Sequence, residues 1–98
     1  MADYWVSFRI KDGPSYDRRY KALMAAMDDH GTGFWNSDTS MIAIRTASTI
    51  DALGASLATT LNDDTDHLVM REIGKDSTRY MGEPGDGFLS FFPNAKKL

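Results

Sequence analysis

The order of apolar segments constrains this chain more than any other feature. Strand, helix, strand, strand, helix and strand follow one another, and a short aromatic tail closes the series, all within 98 residues. Tyr4 to Lys11 alternates, with Tyr4, Val6, Phe8 and Ile10 on one side and Trp5, Ser7, Arg9 and Lys11 on the other. A period of two residues predicts a half-buried strand. Asp12-Gly13-Pro14 ends it, because proline cannot donate to a ladder and glycine eases the turn.

Ser15 is placed to cap the following helix, with Asp17 near its positive end. Tyr16, Tyr20, Leu23, Met24 and Met27 then recur at helical spacing, and Gly31 is the expected stop. Phe34-Trp35 marks a short second strand, Asn36-Ser37-Asp38-Thr39 has turn chemistry, and Met41 to Thr46 reads as the third strand, with Ile42 and Ile44 inward. Ser48-Thr49-Ile50-Asp51 resembles a capping box that opens a helix with Ile50, Leu53, Leu57 and Leu61 on one stripe. Asn62-Asp63-Asp64 closes that helix. His67 to Ile73 is a fourth strand, Ser77 to Met81 a short fifth, and Gly82 to Gly87 a loop.

This order is that of an α+β ferredoxin-like βαββαβ sandwich, an antiparallel sheet of order 4-1-3-2 with two helices on one face. A single domain is expected over 1–98, its core at about 4–74 and the C-terminal strand and tail at 77–98. Strand 1 would be central, with Arg45 and Arg71 near Trp5, and with Arg9 and Lys11 toward Met41 and His67. Burying Leu68 and Met70 rather than Arg71 sets the face of strand 4, since an unpartnered buried charge is costly. The outer face then carries Trp5, Met41, Val69 and Ile73 among arginines, too apolar a mixture for a bare solvated surface. Two covers suit it: a second copy of the chain, or the tail, with Met81, Phe88, Leu89, Phe91 and Phe92 doing the packing. Arginine beside tryptophan also suits single-stranded RNA, although sheet-based RNA readers present aromatics on two central strands.

Composition bounds the rest. A net charge of −3 argues against indiscriminate polyanion binding. No cysteine is present, which removes disulfides and thiolate metal sites. Met1-Ala2-Asp3-Tyr4 lacks a signal-peptide layout, and no apolar run approaches the ~18 residues of a membrane span, so a cytoplasmic protein with no membrane partner is expected. The six methionines read as adaptable core filler.

For chemistry, Asp12 and the pair Asp66-His67 should share one sheet edge. Carboxylates and an imidazole there can hold a divalent cation, and a second copy across a two-fold axis adds another Asp12. The plainer reading makes Asp12 a turn residue and Asp66 a strand-start residue. Asp28-Asp29-His30 and Asp63-Asp64 fall at helix ends and lack the spacing of calcium or zinc motifs. Gly82 to Gly87 is glycine-rich without the lysine of a phosphate loop, and no serine sits in a nucleophile-elbow context.

The run Tyr4-Trp5-Val6-Ser7-Phe8-Arg9-Ile10, the acidic turn at Asp12 and Tyr16-Asp17-Arg18-Arg19-Tyr20-Lys21-Ala22-Leu23 resemble small bacterial proteins labelled SinR-like. More distantly they are similar to the ferredoxin-like superfamily of VapD-type toxin ribonucleases and small CRISPR-associated ribonuclease-like proteins. The resemblance spans about 4–74. It implies a homodimer whose late strand adds to the partner's sheet and, in the CRISPR branch, an aspartate after strand 1 as metal ligand, which maps onto Asp12. Here Lys11 intervenes before that aspartate, and no helix-turn-helix is visible.

Three functions follow as expectations. The first is a homodimeric interaction protein with no required cofactor. The second is a metal-dependent endoribonuclease of a toxin-antitoxin or CRISPR-type system, using Mg²⁺ or Mn²⁺ at Asp12 with Asp66 and His67 as helpers and Arg9 or Lys11 on phosphate. The third is single-stranded RNA binding on the open face through Trp5, Arg45 and Arg71. An antitoxin-like protein or an RNA is the partner that the last two imply.

Overall fold

The computed structural model describes residues 1–36, 40–74, 77–85 and 87–98. Its elements run β1 (Ala2–Arg9), α1 (Tyr16–His30), β2 (Gly31–Trp35), β3 (Met41–Thr46), α2 (Ile50–Ala58), β4 (His67–Glu72), β5 (Arg79–Tyr80), α3 (Phe88–Phe91) and β6 (Lys96–Lys97). The four long strands form one sheet of order β2-β3-β1-β4 with every neighbour antiparallel, the expected ferredoxin-like arrangement. The turn expected over Ser37 to Thr39 lies outside the described residues.

Alternation along β1 and the stripes of α1 and α2 build the main core. Val6, Leu23, Ile44, Leu53 and Leu57 are fully buried, and Tyr4, Phe8, Ile10, Met27 and Ile42 nearly so. Leu68 and Met70 pack against this cluster from β4, so the chosen face of that strand is the observed one. Gly54 lets α2 approach the sheet: a methyl group there would meet the Met70 sulfur at 3.4 Å.

Local chemistry differs from expectation at both helix starts. Ser15 precedes α1 but makes no capping bond, because its hydroxyl accepts from Arg19 Nε at 3.0 Å. In α2 the cap is Thr49, whose Oγ1 accepts from the Ala52 N–H at 3.1 Å. Ser48 is one residue too early and instead bonds His30 Nδ1 at 2.8 Å. That helix also stops at Ala58, before Asn62, as the Thr59 and Thr60 hydroxyls donate to the Ser56 and Leu57 carbonyls. Hydroxyls that bond backbone in the last turn compete with its continuation.

The outer face of the sheet holds a second core. Ala43, Ile73, Phe88, Phe91 and Phe92 are buried together, with Trp5, Trp35 and Tyr80 packed around them. Phe88, Phe91 and Phe92 stand at i, i+3 and i+4, so the short turn of α3 aims all three rings one way. Gly87 leads into it with φ +82°, a left-handed conformation that suits glycine. The tail therefore lies on its own sheet. β5 pairs in parallel with β6, Arg79 opposite Lys96 and Tyr80 opposite Lys97, which ties the far end of the tail back to the same chain.

Candidate functional site

Register fixes what meets on the outer face. Trp5 lies between Ala43 and Arg71, Ser7 between Met41 and Val69, and Arg9 opposite His67. Arg45 sits one row beyond Trp5, opposite Asp3.

The half of this face nearest the start of β1 is closed. Phe92 stacks on Trp5 with centroids 5.3 Å apart and planes 20° from parallel, and Trp35 meets Trp5 edge-on at 6.1 Å. Trp35 Nε1 donates to the Pro84 carbonyl at 3.3 Å, pinning the Gly82–Gly85 stretch beside the tail. Arg45 donates from Nε to Asp3 Oδ1 at 2.9 Å and from Nη2 to Oδ2 at 3.2 Å, and its guanidinium lies 4.7 Å from the centre of the Phe91 ring. The Asp3 hydrogen bond, opposed in part by burial, raises the Arg45 pKa further. These contacts correct the RNA-platform expectation. The tail covers one face of Trp5, and the charge of Arg45 is matched by a buried aspartate; both are half-buried, and Arg71 is the most exposed of the trio.

Among the described residues the other half is the more exposed. Met41 and Val69 are exposed on either side of Ser7, and Arg9 and His67 form the next row. Met81 and Leu89, expected to pack, are exposed as well.

Beyond Arg9 the chain enters the region proposed for chemistry. Asp12 is exposed, and its Oδ1 accepts from the Gly13 N–H at 2.9 Å, the turn role. Asp66 is placed differently from expectation. Its side chain is fully buried, and its two oxygens accept from Arg19 Nη1, the Lys11 N–H (2.9 Å), the Asn62 N–H (2.8 Å) and the Thr65 hydroxyl (3.2 Å). Burial pushes the Asp66 carboxyl up, but the Arg19 guanidinium and the two amides outweigh it and hold the group well below the usual carboxylate range. Arg19 completes the unit by donating to the Lys11 carbonyl at 3.0 Å. The backbone of Lys11 is thus gripped on both sides, one residue before Asp12.

A carboxylate with its lone pairs committed this way is not a metal ligand. Among the described residues no three of His, Asp and Glu come together. Asp12 and His67 remain exposed at this end of the sheet. Sequence reasoning missed Arg19, whose signal was its place inside the apolar stripe, between Tyr16 and Leu23. It also missed Asp3 and Trp35.

Among the described residues no helix is long and apolar enough to cross a membrane. No protein-family model matches the chain, and no characterised protein matches it in sequence. Solved structures are similar in fold: the crystal structure of Streptococcus pyogenes Cas2 at pH 6.5 superposes with a TM-score of 0.61 and 16% identity, covering 76% of this chain and 88% of that one. That likeness bears out the ferredoxin-like fold and lends nothing to the SinR-like part of the resemblance. At this identity the chain shares the Cas2 fold.

Proposed function

We propose that this chain is an interaction protein that works as a homodimer on the fold it shares with Cas2. The carrying observation is the uncovered half of the outer face. The tail buries Ala43 and Ile73 and packs on Trp5, yet Val69 and, less fully, Met41 are exposed beside Ser7. A second copy laid on this half by a two-fold axis removes that apolar surface from solvent, and the resemblance to CRISPR-associated proteins supplies the precedent of self-association. Because β5 is already paired with β6 of its own chain, the contact rests on the sheet face rather than on exchange of β5. Light scattering over micromolar concentrations should give twice the chain mass. A monomer throughout the range would refute the reading.

The nuclease reading is favoured by one feature, the grip on Lys11 that fixes the chain just ahead of Asp12. It holds only if two copies bring their Asp12 side chains together, with Asp66 a positioning residue and His67, Arg9 and Lys11 nearby. Cleavage of RNA would then require Mg²⁺ or Mn²⁺ and vanish in Asp12→Asn. Cleavage that survives that substitution, or none at all, leaves the interaction reading standing alone.

A further inference from the structure

The turn after β1 sets an aspartate directly before a glycine, and the fold holds their reactive atoms together. Asp12, Gly13 and Pro14 are all exposed. The Gly13 N–H donates to Oδ1 of Asp12 at 2.9 Å, so a backbone nitrogen and the carboxyl group with which it closes a five-membered ring are already in contact. Gly13 has φ +153°, a conformation that side chains disfavour, and among the described residues nothing lies within 4 Å of where a Cβ would stand. The nitrogen is therefore unshielded, and the backbone selects the residue type that keeps it so. Both flanks are fixed. The Lys11 N–H donates to Asp66 at 2.9 Å and the Lys11 carbonyl accepts from Arg19 at 3.0 Å, while the Gly13 carbonyl accepts from the Tyr16 N–H at 3.1 Å. Fixed flanks keep the pair near this geometry instead of the many open to a free chain.

We infer that Asp12–Gly13 is a site of spontaneous covalent rearrangement, first to a cyclic succinimide and then to isoaspartate. In the first step the Gly13 nitrogen bonds to Asp12 Cγ and gives up its proton. The C–OH bond of the protonated carboxyl breaks, and the hydroxyl leaves with that proton as water. In the second step one water adds to the ring. Opening at Cγ restores aspartate. Opening at the main-chain carbonyl carbon leaves the chain running through Cβ and Cγ, one methylene longer. Water is the sole co-reactant. The two-sided grip on Lys11 keeps the added length out of β1, so it falls on the turn that leads to Tyr16. In the product the free carboxylate stands directly on Cα, drawn back by one carbon from the position of the Asp12 side chain. The site is complete in one chain, so the inference stands whether or not the protein dimerises or cleaves RNA.

Prolonged incubation of the folded full chain in heavy-oxygen water tests it, read by mass-spectrometric peptide mapping and by enzymatic methylation of isoaspartate. One heavy oxygen should enter residue 12, and isoaspartate should accumulate there. Asp12→Glu, which has a larger ring to close, and Gly13→Ala, which sets a Cβ beside the nitrogen, should each slow the incorporation about ten-fold or more. Asp12→Asn should react faster, with ammonia leaving in place of water, and revert in part to aspartate. Gly13→Ala strains the turn, so melting curves accompany it, and Asp12→Glu decides the matter where that variant fails to fold. Absence of heavy oxygen at residue 12, isoaspartate confined to the chain's other aspartate–glycine pair, Asp86-Gly87, or incorporation undiminished in Asp12→Glu would overturn the proposal.

Discussion

The two ends of the central strand are anchored by opposite physics. At its start, β1 is held mainly by apolar contact, with Trp5 under Phe92, Ala43 under the tail and Ile73 closing the row beside the Asp3–Arg45 pair. At its finish it is held by charge, with the Lys11 backbone gripped between Arg19 and Asp66. The first anchor closes half of the outer face; the second leaves the other half open. A short sheet can thus be stable on both sides and still keep a surface for another molecule.

Breaking the charged anchor should have the largest effect. Asp66→Ala leaves the Arg19 guanidinium buried without its partner and orphans the Lys11 and Asn62 amides, a loss of ~3–5 kcal/mol. Urea unfolding measures it, and a loss near zero would mean the grip is unimportant. Phe92→Ala attacks the apolar anchor. The ring is fully buried, so transfer and cavity terms together cost about 3–5 kcal/mol. Its distinguishing mark is that Trp5 fluorescence should shift to that of a wetted indole.

Acid separates the two anchors. The folded-state pKa of Asp66 lies below its unfolded value of about 3.9, so its contribution is complete above that pH and is lost as pH falls through the folded pKa. Stability should therefore decline below about pH 4 in the parent, while Asp66→Asn should show a shallower acid slope. An unchanged slope would contradict the account. The smallest effect on stability belongs to the more exposed half. Val69→Asp should change unfolding free energy by no more than about 0.5 kcal/mol, since the side chain is 64% exposed, yet it should abolish the proposed self-association.

Most of the fold was legible because periodicity reports burial directly. The alternation of Tyr4 to Ile10 and the stripe of Ile50, Leu53 and Leu57 allowed few other arrangements, and their sides were assigned as observed. The anchors were harder to read. Asp17-Arg18-Arg19 looks like a solvated helix start, and only the apolar neighbours at Tyr16 and Leu23 betray that Arg19 points inward. Asp66 looks like a turn acid or a ligand because its partner lies 47 positions away in sequence. Phe88-Leu89-Ser90-Phe91-Phe92 showed that something needed covering but not whose sheet it covered, since composition carries no information on chain identity. The one-residue displacement of the α2 cap from Ser48 to Thr49 reflects rival uses of the serine, which His30 and the Tyr4 hydroxyl both engage.

The central claim is that each chain's tail covers half of its own sheet and leaves the Met41–Val69 half for a second copy. Isotope-filtered NOE spectroscopy on a mixture of labelled and unlabelled chains tests it directly. The account predicts contacts between Trp5 and Phe92 within one chain only, and contacts from the Val69 and Met41 methyl groups across chains. Trp5–Phe92 contacts between chains, or an absence of cross-chain contacts at Val69 and Met41, would contradict it.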